Sequence, residues 1–207
     1  MNKKLLVTAV GLVLAFVCEM RVQAQTAKAS FIRMAPVHEY LMNRDAEVAL
    51  ARSAAPAAIS AQASVLVLTD HGWETAEKGT NGFVCMVERA WTSSIDFSRV
   101  WDPKMRGADC LNAAAAQTIL PLIFKLTQMA LAGENTQQRI AGIQSAFAAH
   151  EIPPLQPGAI GYMMSKGAYI TDSTPHNFPH MMVFVATRAT DSAWGAWLKG
   201  VPLGSCS

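Results

Sequence analysis

Val65-Leu66-Val67-Leu68-Thr69-Asp70-His71-Gly72, followed by Trp73 to Lys78, Gly79-Thr80-Asn81-Gly82 and Phe83 to Trp91, is the stretch whose reading decides the fold class. Its first run is apolar on both faces and is stopped by Asp-His-Gly, which suits a short buried strand. Asn81-Gly82 lies between two strand-like runs, and both residues tolerate positive φ, so the pair signals a hairpin. The stretch therefore predicts a three-stranded antiparallel meander.

On the N-terminal side, Met34, Val37, Leu41 and Val48 fall at spacings of three, four and seven, a helical stripe between Met34 and Ala54. Asn43 and Asp45 offer a later start for a shorter helix, and Pro56 ends either one. On the C-terminal side, Thr92 to Asp109 has mixed polarity and no period, which predicts a long surface loop. Asn112 can cap a helix running towards Ala132, with Gly133 as its stop and Pro121 kinking or dividing it. Asn135 or Thr136 caps a further helix whose stripe of Ile140, Ile143 and Phe147 is expected to face inward, with Pro153-Pro154 closing it. Ile160 to Ser165, Tyr169-Ile170 and His180 to Thr187 read as strands. In the last of these both faces are apolar, as in a central strand or a thinly covered one. The expected architecture is a single α+β domain over residues 25–207, an antiparallel sheet of about five strands packed with three or four helices.

Composition narrows the class further. Of 207 residues, 51% are apolar and 15% charged, which excludes a disordered chain, a collagen and a coiled coil. Met1-Asn2-Lys3-Lys4, an uncharged run from Leu5 to Cys18, and Val22 and Ala24 at the −3 and −1 positions read as a secretory signal peptide, residues 1–24, cleaved after Ala24. The run is shorter than the roughly 20 helical residues that span a bilayer, so no permanent membrane anchor is expected. Cys18 could instead be a lipidated first residue, but bulky Phe16 and Val17 stand where small residues are usual.

Residues 1–24 hold Lys3, Lys4 and Arg21 against Glu19, so of 17 basic and 15 acidic groups 14 of each remain. A neutral mature chain implies no nucleic-acid partner; a small ligand or an envelope protein fits better. Export places Cys85, Cys110 and Cys206 in an oxidising space, periplasmic or secreted. Cys85 with Cys110 is the favoured disulfide, closing about 26 residues and worth roughly 3.5 kcal/mol of loop entropy. Cys206 with Cys110 is the rival pairing.

Ala49-Leu50-Ala51-Arg52-Ser53-Ala54-Ala55-Pro56, Lys78 to Cys85, Tyr162-Met163-Met164-Ser165-Lys166 and Pro179-His180-Met181-Met182 together resemble a family of uncharacterised exported bacterial proteins. The resemblance spans about residues 45–200. It implies bacterial export and one compact domain, and no chemistry.

Few polar clusters could carry chemistry. His176 and His180, four apart, with Asp172 upstream, could supply three ligands to a transition metal; a solvated loop histidine and a strand-capping one are the plainer alternative. Asp70 beside His71 at a strand end could orient an imidazole for acid–base work, or be ordinary turn composition. Met163, Met164, Met181 and Met182 near those histidines suggest a copper(I) environment, although strand alternation lets at most one of each pair reach a common site. Ser165, Lys166 and Tyr169 lack a nucleophile motif, and Lys78 to Gly82 lacks the order of a phosphate loop. Trp73, Trp91, Trp101, Trp194 and Trp197 suit core packing or a ligand-stacking platform.

The first functional reading is a ligand- or partner-binding domain of the cell envelope. The second is an envelope hydrolase with a histidine metal site, and the third a copper-binding protein. N-terminal sequencing of protein secreted by its own host is expected to begin at Gln25; a chain still starting at Met1 would overturn the export reading.

Overall fold

Asn43 sets where the first helix begins, because its side chain accepts hydrogen bonds from the Asp45 and Ala46 amides, each at 3.1 Å. Helix α1 accordingly spans Arg44–Arg52, the later of the two expected starts, and Val37–Glu39 forms only a 3-10 turn. The computed structural model describes residues 31, 33–92, 99–172 and 178–185. The expected signal segment, His176, Cys206, Trp194 and Trp197 lie outside the described residues.

After α1 come α2 (Ala57–Ser60), β1 (Ser64–Thr69), β2 (Gly72–Glu77), β3 (Val84–Glu88), β4 (Gly107–Leu111), α3 (Ala113–Thr118), α4 (Leu120–Leu131), α5 (Thr136–Ala148), β5 (Ile160–Met163) and β6 (His180–Val183). The strands form one sheet in the order β2-β1-β3-β4-β5-β6, antiparallel throughout except between β1 and β3. This is an α+β domain on a mostly antiparallel mixed sheet, with six strands.

The meander is corrected at β3, which lies on the far side of β1 from β2 and runs parallel to β1. Residues 78–83 do not close a hairpin; they cross the backbone that leads into β1. Thr80 N–H donates to Gln62 O at 2.8 Å, Gly79 N–H to Ser64 Oγ at 2.9 Å, and Ser64 N–H to Phe83 O at 2.8 Å. A Cβ at Gly79 would sit 2.2 Å from Ser64 N, so only glycine permits the crossing. Asn81 serves it too, accepting from Phe83 N–H and donating through its amide to Ile59 O.

A second correction concerns Thr92 to Asp109, expected as a surface loop. Val100, Trp101, Asp102 and Met105 are buried, and residues 107–111 form β4, buried along its whole length between β3 and β5. Gly-Ala-Asp-Cys-Leu has too little branched or aromatic character to announce a strand, and its two neighbours impose it. Cys85 and Cys110 face each other across β3 and β4 and are joined by a disulfide, the favoured pairing.

The helix from Asn112 is divided as expected. Asn112 caps α3 by accepting from Ala115 N–H at 2.9 Å, and Pro121 sits in the first turn of α4, where its missing N–H costs nothing. His180 to Val183 forms an edge strand, with Met181 and Val183 more than half exposed, so the thinly covered alternative is the one adopted.

One face of the sheet, through Val65, Cys85, Val87, Ala108 and Cys110, packs on Ala51 and Ala54 at the end of α1. The other, through Leu66, Met86 and Leu111, packs on Ala115, Leu120 and Ile123 of α3 and α4. The parallel β1/β3 pairing covers only Ser64 and Val65 against Val84 and Cys85. Beyond it, Leu68 N–H donates to Glu47 Oε1 at 3.2 Å, while Arg89 donates to Glu47 Oε1 at 2.8 Å, to Tyr40 O at 2.7 Å and to Val87 O. A wholly buried ion pair thus satisfies backbone groups where the two strands part. Glu47→Gln leaves the Arg89 charge uncompensated and is expected to cost about 3–5 kcal/mol in chemical denaturation; a loss below about 1 kcal/mol would show that the pair is dispensable.

Candidate functional site

Helix α5 is capped as the sequence suggests, with Asn135 and Gln138 forming a reciprocal capping box, yet its buried face is not centred on the expected stripe. Of the expected inward stripe, Ile140 is 41% and Phe147 48% exposed; the buried side chains are Arg139 and Ala146. Ile143, the third member of the stripe, is half-buried; an apolar stripe left at the margin of the packed face while an arginine is buried departs from ordinary amphipathic packing, and a groove explains it. Leu122 and Leu126 of α4, Ile140 and Ile143 of α5, and Trp91 and Val100 line an open, almost wholly apolar groove of about 280 Å³ beside Arg139.

Arg139 is only 5% exposed. Its Nη2 donates to Trp91 O at 2.5 Å, its guanidinium stands 5.0 Å from the centre of the Trp101 ring, and its Nε has no partner. Burial pushes its pKa down, partly offset by the charge of Glu134. Trp91 is itself held, since Thr127 Oγ1 accepts from the indole N–H groups of Trp73 and Trp91 at 2.9 and 3.1 Å. One wall of the groove is therefore anchored to α4 and to the sheet edge.

The residues singled out from the sequence are scattered. Asp70 and His71 stand at the turn between β1 and β2, with His71 Nε2 at 3.5 Å from Asp70 Oδ1 and both side chains largely in solvent. They edge a shallow depression of about 560 Å³ with Phe124, Lys125 and Gln128. Exposed in this way, the pair gains little from its proximity. His180 opens β6, exposed, with Nδ1 at 2.6 Å from Phe178 O. Four strand spacings separate β1 from β6, roughly 19 Å, so His71 does not join His180.

Asp172 accepts from the Tyr169 hydroxyl and lies 4.0 Å from Arg99. Among the described residues no group of three or more His, Cys, Asp and Glu side chains is placed to hold a metal ion. The register puts Met163, Met182 and His180 on one face and Met181 on the other. Ser165 is buried and bonds Ser53 Oγ at 2.6 Å, a structural tie between α1 and the segment after β5. Trp73, Trp91 and Trp101 belong to the packing around Tyr40, Leu68 and Ala130.

A carboxyl pair had no signal in the sequence, because β4 itself had none. Glu88 and Asp109 sit on neighbouring strands, diagonally placed on the same face. Thr92 Oγ donates to Glu88 Oε2 at 2.8 Å, whereas the buried Asp109 Oδ1 has no partner and crowds Gly161. Burial, with the Glu88 charge adding to it, pushes Asp109 well above the usual carboxylate range, and burial raises Glu88 as well.

Compared with known proteins, the chain matches no family model, no curated protein and no solved structure. Among the described residues no helix is long and apolar enough to cross a membrane.

The acid pair carries a pH dependence. Carboxyls raised on folding hold protons that the unfolded chain releases, so their contribution is complete below about pH 4 and fades as pH rises through the folded values. Asp109→Asn is expected to gain stability on wild type as pH increases from 4 to 8; a difference constant with pH would contradict the raised carboxyls.

Proposed function

We propose that this chain is an exported binding domain of the cell envelope that takes a small, mainly apolar ligand in the groove between α4 and α5. The observation that carries the reading is the setting of α5, which leaves Ile140 exposed and Ile143 only half-buried beside Leu122 and Leu126, all four lining the groove. Leaving such a side chain in water forgoes about 1.5–3 kcal/mol, a cost that a bound apolar molecule recovers. The disulfide between Cys85 and Cys110 suits an oxidising compartment, in agreement with the secretory reading of residues 1–24 and the resemblance to exported bacterial proteins. His71 stands apart from His180 and adds nothing to a hydrolase built on His176 and His180.

Methyl NMR spectra titrated with 1-octanol and with octanoate are expected to show saturable shifts at Leu122, Leu126, Ile140 and Ile143 with at least one of the two. Ile143→Glu should abolish them. Methyl signals unmoved by either compound would remove the groove as a ligand site.

A further inference from the structure

We propose that the groove selects an anion with a compact apolar body, a monocarboxylate of about eight carbons, whose charge is received by Arg139. The inference rests on the groove being the ligand site and adds the chemical class of its occupant.

Two arginines are buried in the described chain, and they are treated differently. Arg89 has Glu47 at 2.8 Å. Arg139 has no carboxylate within ion-pair distance among the described residues; Glu134 acts on it only from further away. Its partners are the Trp91 carbonyl and the face of Trp101, and its Nε is unpaired. Neither partner cancels a full positive charge, and an uncompensated buried charge costs far more than a missing neutral hydrogen bond. The charge stands where the groove can deliver an anion to it.

The surroundings favour the same sign. Thr136 and Arg139 belong to the first turn of α5, so the polar side of the groove coincides with the positive end of that helix dipole. A cationic ligand would meet a like charge there, and a neutral one would leave the guanidinium as it is. Leu122, Leu126 and Ile143 make much of the remaining wall apolar, and the polar side chains there, Thr92, Thr136 and Gln144, are neutral, so among the described lining residues the charge is Arg139's. A groove of about 280 Å³ has room for an apolar body of roughly eight carbons, at about 30 Å³ per water-sized group.

Calorimetric titration of the wild type with octanoate, 1-octanol and octylammonium separates the possibilities. Octanoate is expected to bind at least about tenfold more tightly than either of the others, the smaller end of what a charge-assisted hydrogen bond supplies. Arg139→Gln should erase that preference, and Arg139→Lys should keep part of it. Octanol or octylammonium binding as tightly as octanoate, or a preference surviving in Arg139→Gln, would overturn the anion proposal and leave the groove standing. Failure of all three compounds would remove the groove reading itself. The wild-type ratio decides the question even where the Gln variant does not fold.

Discussion

Glu47 and Arg89 hold together the place where the sheet would otherwise come apart. Strands β1 and β3 run parallel for two register positions and then separate, leaving an N–H on one and a carbonyl on the other without the partner a ladder would provide. One carboxylate and one guanidinium fill that gap, and the same guanidinium reaches the Tyr40 carbonyl. Tyr40 in turn donates its hydroxyl to Trp101 O at 2.8 Å, tying the N-terminal turn to the segment before β4. Each charge is tolerable in the interior only because the other is there, and the pair couples α1, the sheet and, through Tyr40, the Trp101 segment.

Among the described residues Arg139 is buried without such a companion, and this contrast gives the groove its chemical character. The carbonyl it bonds belongs to Trp91, whose indole shares Thr127 with Trp73, so the position of the guanidinium is set by groups that bear no negative charge. A fold that buries one arginine against a carboxylate and another against a carbonyl and an aromatic face makes the second a receptor for charge. The apolar walls around it decide what kind of molecule can carry that charge in.

Much of the secondary structure was legible because its signals are local. The caps at Asn43, Asn112 and Asn135, the break at Pro121 and the buried run Val65–Leu68 depend on residues within one or two turns of themselves. Strand β4 was not legible, since Gly107 to Leu111 becomes extended only by lying between β3 and β5. Nor was the crossing at Gly79, because Asn81-Gly82 has the composition of a hairpin whether the chain turns back beside β2 or passes across β1. The candidate site was hidden for a related reason: periodicity finds the apolar stripe of α5 but not which way that stripe points.

Periodicity, capping and the pairing of cysteines are properties of short stretches, and they were sufficient for the α+β class, the helix boundaries and the bridge between Cys85 and Cys110. Strand order, the face α5 turns inward and the meeting of Glu88 with Asp109 arise from contacts between residues distant along the chain. Such contacts are chosen by the packing of the whole interior. A helix that buries an arginine can be understood only once its neighbours are in view.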